Sequence, residues 1–152
     1  MSHRAFTLIE VLIVVIILGI LAAAIIPQFS EAADDGRANT AAMVVRGIQR
    51  QITVKRAQTG SWPANIDATW FEGGTLPTNP LDPDATSFCN IADDVALLHP
   101  GTKTIHVAGA FWYNKANGII RARVTAGAST AETIALYNTV NATKVTSLSQ
   151  TK

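Results

Sequence analysis

Phe6-Thr7-Leu8-Ile9-Glu10 opens an apolar run, residues 11–26, that ends at Pro27, and the reading of this stretch decides the fold. The run holds no charge, yet Glu10 stands at its mouth with only the basic head Met1-Ser2-His3-Arg4-Ala5 before it. As a helix, residues 6–26 reach about 31 Å, the thickness of a bilayer's hydrocarbon core. A carboxylate there costs several kcal/mol unless something pairs with it, so Glu10 reads as a functional residue. Arg4 is its one nearby cation. A cut between Ala5 and Phe6 would supply another, the new α-amino group of Phe6. Both groups then lie at the same end of one helix, so the partner that fits Glu10 is the terminus of a neighbouring, staggered copy. That pairing implies a helical polymer.

The string Ala5-Phe6-Thr7-Leu8-Ile9-Glu10-Val11, with Gly19 inside the run and Pro27-Gln28-Phe29 at its end, resembles the N-terminus of type IV pilins and type II secretion pseudopilins. The resemblance implies a leader, residues 1–5, removed by a prepilin peptidase between Ala5 and Phe6, then N-methylation of Phe6. It assigns Glu10, with Phe6, to subunit assembly. It also implies an inner-membrane assembly platform and a homopolymer filament. The chain would sit in the inner membrane first and then in an extracellular filament, or in a periplasmic one if it is a pseudopilin. One departure stands out: the family usually has Gly before the cut, where this chain has Ala5. Alanine is the next smallest residue, so cleavage should survive at a lower rate.

A rival reading takes Ala22-Ala23-Ala24 as a conventional signal-peptidase site behind a basic head and apolar middle, which leaves Ile25 as the first mature residue. Glu10 and the apolar residues beyond that cut argue against it. Basic residues before the span place the start of the chain in the cytoplasm and the rest outside. Gly19 costs about 1 kcal/mol in a helix interior, and Pro27 removes a backbone bond, so both are points of helix flexibility. The plain readings are a packing contact at Gly19 and a membrane-exit kink at Pro27. The family resemblance adds melting of the helix between them.

The 152 residues fit one domain plus an anchor, and a net charge of +1 gives no overall bias towards nucleic acid. Cys89 is the single cysteine and forms no intrachain disulfide. Past Pro27, Gly36 permits a bend, and Asn39 or Thr40 can cap a second helical stretch to about Gln58. Its apolar residues Ala41, Val44, Val45, Ile48 and Ile52 fall three and four apart, giving a stripe that faces a core. The cations Arg37, Arg46, Arg50, Lys55 and Arg56 read as a solvated face; without interleaved aromatic residues, nucleic acid is not an expected partner.

Gly60 ends the helix, and Pro63 holds Trp62 extended so that the indole can cover the helix end. A short helical turn follows, closed by Gly73-Gly74. The Pro-rich stretch from Leu76 to Pro83 reads as an extended loop. Strand signals follow at Thr104-Ile105-His106-Val107, at Ala110-Phe111-Trp112-Tyr113 and at Ile119-Ile120-Arg121-Ala122-Arg123-Val124, with turn chemistry at 114–118 predicting a hairpin. His106 reads as a strand residue, since neither His3 nor His99 has metal spacing with it. Thr133-Ile134-Ala135-Leu136-Tyr137 reads as a further strand, and the Ser/Thr/Asn-rich tail 138–152 as a weakly ordered edge. Asn141-Ala142-Thr143 is a glycosylation sequon by pattern alone.

These readings combine into an α+β fold: a long N-terminal helix, transmembrane in its inner half and amphipathic in its outer half, packed on a small antiparallel β-sheet head. The divisions are the leader 1–5, a transmembrane and assembly helix 6–27, an amphipathic helix 28–59 and a β-rich head 60–152 with a loop at 73–103 and a hairpin at 104–125. No catalytic constellation is present in the sequence and no cofactor is expected. Calcium at Asp82, Asp84, Asp93 and Asp94 competes with solvated turn acids, which the irregular spacing favours. The function expected is that of a filament subunit, a type IV pilin or alternatively a major pseudopilin. A plain exported or anchored binding module is the other class.

Overall fold

The computed structural model describes residues 7–105 and 109–152, with Pro27 described by its backbone alone. Ala5 and Phe6, and with them leader cleavage and N-methylation, lie outside the described residues, as do His106 and Val107. The chain divides into two units, 1–36 and 37–152, and helix α1 (Leu8–Thr59) contributes to both.

Within the first unit, residues 11–26 of α1 are apolar all round. Every Leu, Ile and Val from Leu8 to Ile26 is at least 44% exposed. A helix without a polar face is stable only when another apolar phase covers it, and α1 is long and apolar enough to cross a membrane. Gly36, Asn39 and Thr40 all lie inside α1, so Asn39 and Thr40 do not cap a second helix. One glycine costs only about 1 kcal/mol in a helix interior. Burial of Ala38, Ala41 and Ala42 in the next turns outweighs it.

The second unit is built on the outer part of α1. Ala38, Ala41, Val45, Ile48 and Ile52 form the expected stripe, with Val44 packed at its margin. They share a core with Phe111, Tyr113, Ile120, Ala122, Val124, Tyr137 and Val140. Gly60, at φ +78°, closes the helix, and its N–H donates to Arg56 O at 2.8 Å. Two 3-10 turns follow, Ala68–Trp70 and Glu72–Gly74. Asp67 caps the first by accepting from Thr69 N.

The sheet has three strands in the order β1 (Cys89–Ala92), β2 (Phe111–Asn114), β3 (Ile119–Ala122). Strands β2 and β3 form an antiparallel hairpin, Phe111 opposite Ala122 and Asn114 opposite Ile119. Gly118, at φ +73°, closes its turn, and its N–H donates to Asn114 O at 2.7 Å. Strand β1 joins β2 in parallel, Cys89 beside Phe111, so the sheet is mixed rather than antiparallel. The connection between them is long enough to cross over and return in the same direction. Thr104 makes only an isolated parallel bridge to Val124.

The free edge of β3 is closed by side chains. Gln49 Oε1 accepts from Ile120 N at 3.2 Å while its Nε2 donates to Gly118 O at 2.9 Å. Asn141 Oδ1 accepts from Ala122 N at 2.7 Å, and its Nδ2 donates to Ala122 O at 3.0 Å. Two carboxamides thus imitate a fourth strand and remove a pairing template. Asn141 is buried in this role, so the sequon it begins is structural.

Residues 133–137 are helical rather than extended, within α2 (Thr130–Asn141). The cause is a capping box at the helix start: Ser129 Oγ accepts from Glu132 N, and Glu132 Oε2 accepts from Ala128 N. The tail is tied down rather than loose. Val145 is buried, Asn138 Nδ2 donates to Val145 O, and Thr151 O accepts from the N–H groups of Leu98 and His99.

Candidate assembly surfaces

The helix start decides what Glu10 does locally. Thr7 occupies the position before α1 and Glu10 lies in its first turn, the T-x-x-E spacing of a capping box. Thr7 N and Thr7 Oγ1 both donate to Glu10 Oε2, at 2.8 and 2.7 Å, and Glu10 N donates to Thr7 Oγ1 at 3.4 Å. The carboxylate therefore has a partner within its own turn. The box engages only Oε2, and among the described residues Oε1 accepts no hydrogen bond, so a second donor can still bind there. Gly19 and Pro27 both lie within α1, and a Cβ added at Gly19 meets nothing within 4 Å.

On the second unit, the cations of α1 divide into two kinds. Arg56 stacks on the Trp62 ring, 3.9 Å from its centroid, and Lys55 sits over Trp70 at 5.6 Å. These two are held by aromatic faces rather than left as a solvated face. Arg46 and Arg50 instead line an open groove of about 390 Å³ with Gln49, Thr53, Arg121 and Asn141. Arg121 Nε is buried and has no hydrogen-bond partner, and Nη1 reaches only Ile120 O, at 3.4 Å.

The remaining buried polar groups serve the head. Arg123 donates to the carbonyls of Thr102, Gly109 and Phe111 and to Asn90 Oδ1. This joins β1, β2 and the segment between them. Asn79 Nδ2 bonds the carbonyls of Ala110 and Arg123, which anchors the Pro-rich loop. Lys103, buried, donates to Pro100 O at 3.1 Å, Leu148 O at 2.8 Å and Gln150 O at 2.5 Å. Burial lowers its pKa. His99 Nδ1 lies 3.2 Å from Tyr137 Oη. Burial, with repulsion from Arg121 and Lys103, pushes that imidazole down to about 4.

The acids considered for calcium are dispersed in role. Asp82 is buried, Asp93 pairs with Lys115 at 2.9 Å and Asp94 accepts from Ala96 N. Among the described residues no group of three or more His, Cys, Asp or Glu is placed to hold a metal.

A family model described as the prokaryotic N-terminal methylation motif matches residues 1–26, the stretch that contains the capped Glu10 and most of the exposed apolar helix. Together with a long helix on a small α+β head, this motif supports a structural subunit of the pilin or pseudopilin type. Over 117 residues the chain is 28% identical to the type II secretion system core protein G of Pseudomonas aeruginosa, covering 67% of this chain and 78% of that protein. No solved structure matches the chain.

Proposed function

We propose that this chain is the repeating subunit of a helical homopolymer assembled from the inner membrane. The observation that carries the reading is the exposed apolar surface of residues 8–26. Half-burying its aliphatic side chains is worth on the order of 10–20 kcal/mol relative to water. A bilayer supplies that first, and a central bundle of the same helices replaces it when the subunit leaves the membrane. A prepilin peptidase removes residues 1–5, the Phe6 amine is methylated, and an inner-membrane platform adds the subunit to the filament. Glu10 Oε1, which accepts no hydrogen bond among the described residues, then takes the Phe6 amine of a neighbour. No step in this reading is catalytic or needs a cofactor.

Between the two filaments, the secretion pseudopilus has the better support. It rests on the similarity to a type II secretion core protein and on the head, which is fastened by Lys103 and Arg123 and not by a disulfide. The filament would then remain periplasmic. Deleting the chain and following exoproteins tests this: secreted proteins should accumulate in the periplasm. Normal secretion together with loss of long surface fibres would instead assign it to a type IV pilus.

A further inference from the structure

Among the described residues, no acidic side chain lines the basic groove of the second unit. Among the described residues, Arg46 and Arg50 make no ion pair, and the buried Arg121 Nε has no acceptor. A buried donor without a partner in a native fold calls for an explanation, and an absent acceptor is the simplest one. The chain carries a matching set of charges. Glu31 and Asp35 are exposed, four positions apart on α1, and make no ion pair among the described residues. Arg46 and Arg50 are exposed and also four positions apart on α1. Side chains with that spacing lie one turn apart on one helix face. Two parallel copies of α1, offset by fifteen residues, therefore bring Glu31 beside Arg46 and Asp35 beside Arg50 at the same time.

Other acids fit less well. Asp93 is held by Lys115, Glu132 by its capping box and Asp67 by Thr69. Asp84 and Glu72 are single charges in loop and turn positions. Resting on the filament reading, we propose that the groove formed by Arg46, Arg50 and Arg121 receives the acidic turn of a second copy, Glu31 and Asp35. Gln49, Thr53 and Asn141 line the same groove. The contact fixes the register between subunits, because charge complementarity sets register and excludes wrong alignments more than it adds affinity.

Charge reversal in the full chain, expressed in cells, tests it. Arg50→Glu should lower filament yield at least about tenfold while membrane levels of the subunit stay unchanged. Asp35→Arg should do the same, and the two together should restore yield to within about threefold of wild type. Unchanged yield in Arg50→Glu overturns the proposal. So does loss in both single variants without recovery in the swap, since the groove would then serve another partner, such as a free phosphate or a different protein. If the wild-type chain forms no filaments, the filament reading and this contact fall together. If wild-type fibres are normal and only the swap fails, the contact alone falls.

Discussion

Replacing Lys103 by methionine should free the C-terminal tail while leaving the rest of the head folded. The Lys103 ammonium bridges Pro100 O to Leu148 O and Gln150 O, drawing residues 148–150 against the loop that precedes β2. Methionine fills a similar volume but donates nothing. If the tail stayed in place, three carbonyls would lose their donor in a low-dielectric site, at about 1–3 kcal/mol each. Release of the tail costs less. It gives up the two bonds from Leu98 N and His99 N to Thr151 O and the partial burial of Leu148, together about 3 kcal/mol. The cheaper route wins, so the tail should detach. Hydrogen exchange on the full chain in detergent should show protection lost at 146–152 and kept in β2 and β3. A slow tail with unchanged exchange would refute the reasoning, and so would collapse of the whole head.

Gly118→Ala should be among the most damaging small changes. Position 118 has φ +73°, and an added Cβ would lie 2.2 Å from the Trp62 ring, so a loss of about 3 kcal/mol in thermal unfolding is expected. His99 predicts a pH effect. Its folded pKa of about 4 lies below the ordinary 6.5, so the unfolded chain binds the proton first. Stability should therefore be full above pH 6.5 and decline as pH falls towards 4, by at most about 3 kcal/mol. A His99→Gln variant should flatten that slope, and a slope unchanged in the variant would count against this origin. At Glu10, alanine and glutamine separate two roles. Glu10→Ala removes both cap and charge, whereas Glu10→Gln keeps a side chain competent for a capping box, which is worth about 1 kcal/mol. Both variants should accumulate in the membrane and assemble poorly. Normal fibre yield from Glu10→Gln would reduce Glu10 to a helix cap.

What the sequence made legible is what depends on local spacing. The stripe Ala41, Val45, Ile48, Ile52 has the helical period and is buried as that period requires. The turn at 114–118 and the apolar run behind Glu10 are equally local. The elements that escaped depend on partners distant in sequence or on a cue a few residues away. Residues 133–137 have the β-branched and aromatic content of a strand, and the deciding cue is the Ser129-Glu132 box just upstream. Strand β1 is four residues without clean alternation, and its extended form is imposed by β2. Lys103 resembles any surface lysine until residues 148–150, some 45 positions later, fold over it. Gln49 and Asn141 likewise show their purpose only once β3 presents an edge to them. At the N-terminus the T-x-x-E spacing was in plain view. Reading Glu10 only as a stranded charge hid its partner, Thr7.

The central claim is that residues 8–26 are kept after cleavage and become the filament's interior. Mass spectrometry of the chain recovered from sheared or overproduced filaments tests it directly. A mature N-terminus at methylated Phe6, in fibres composed of this chain, is the predicted result. A chain that starts at Ile25, or that retains residues 1–5 and is absent from any fibre, would contradict it.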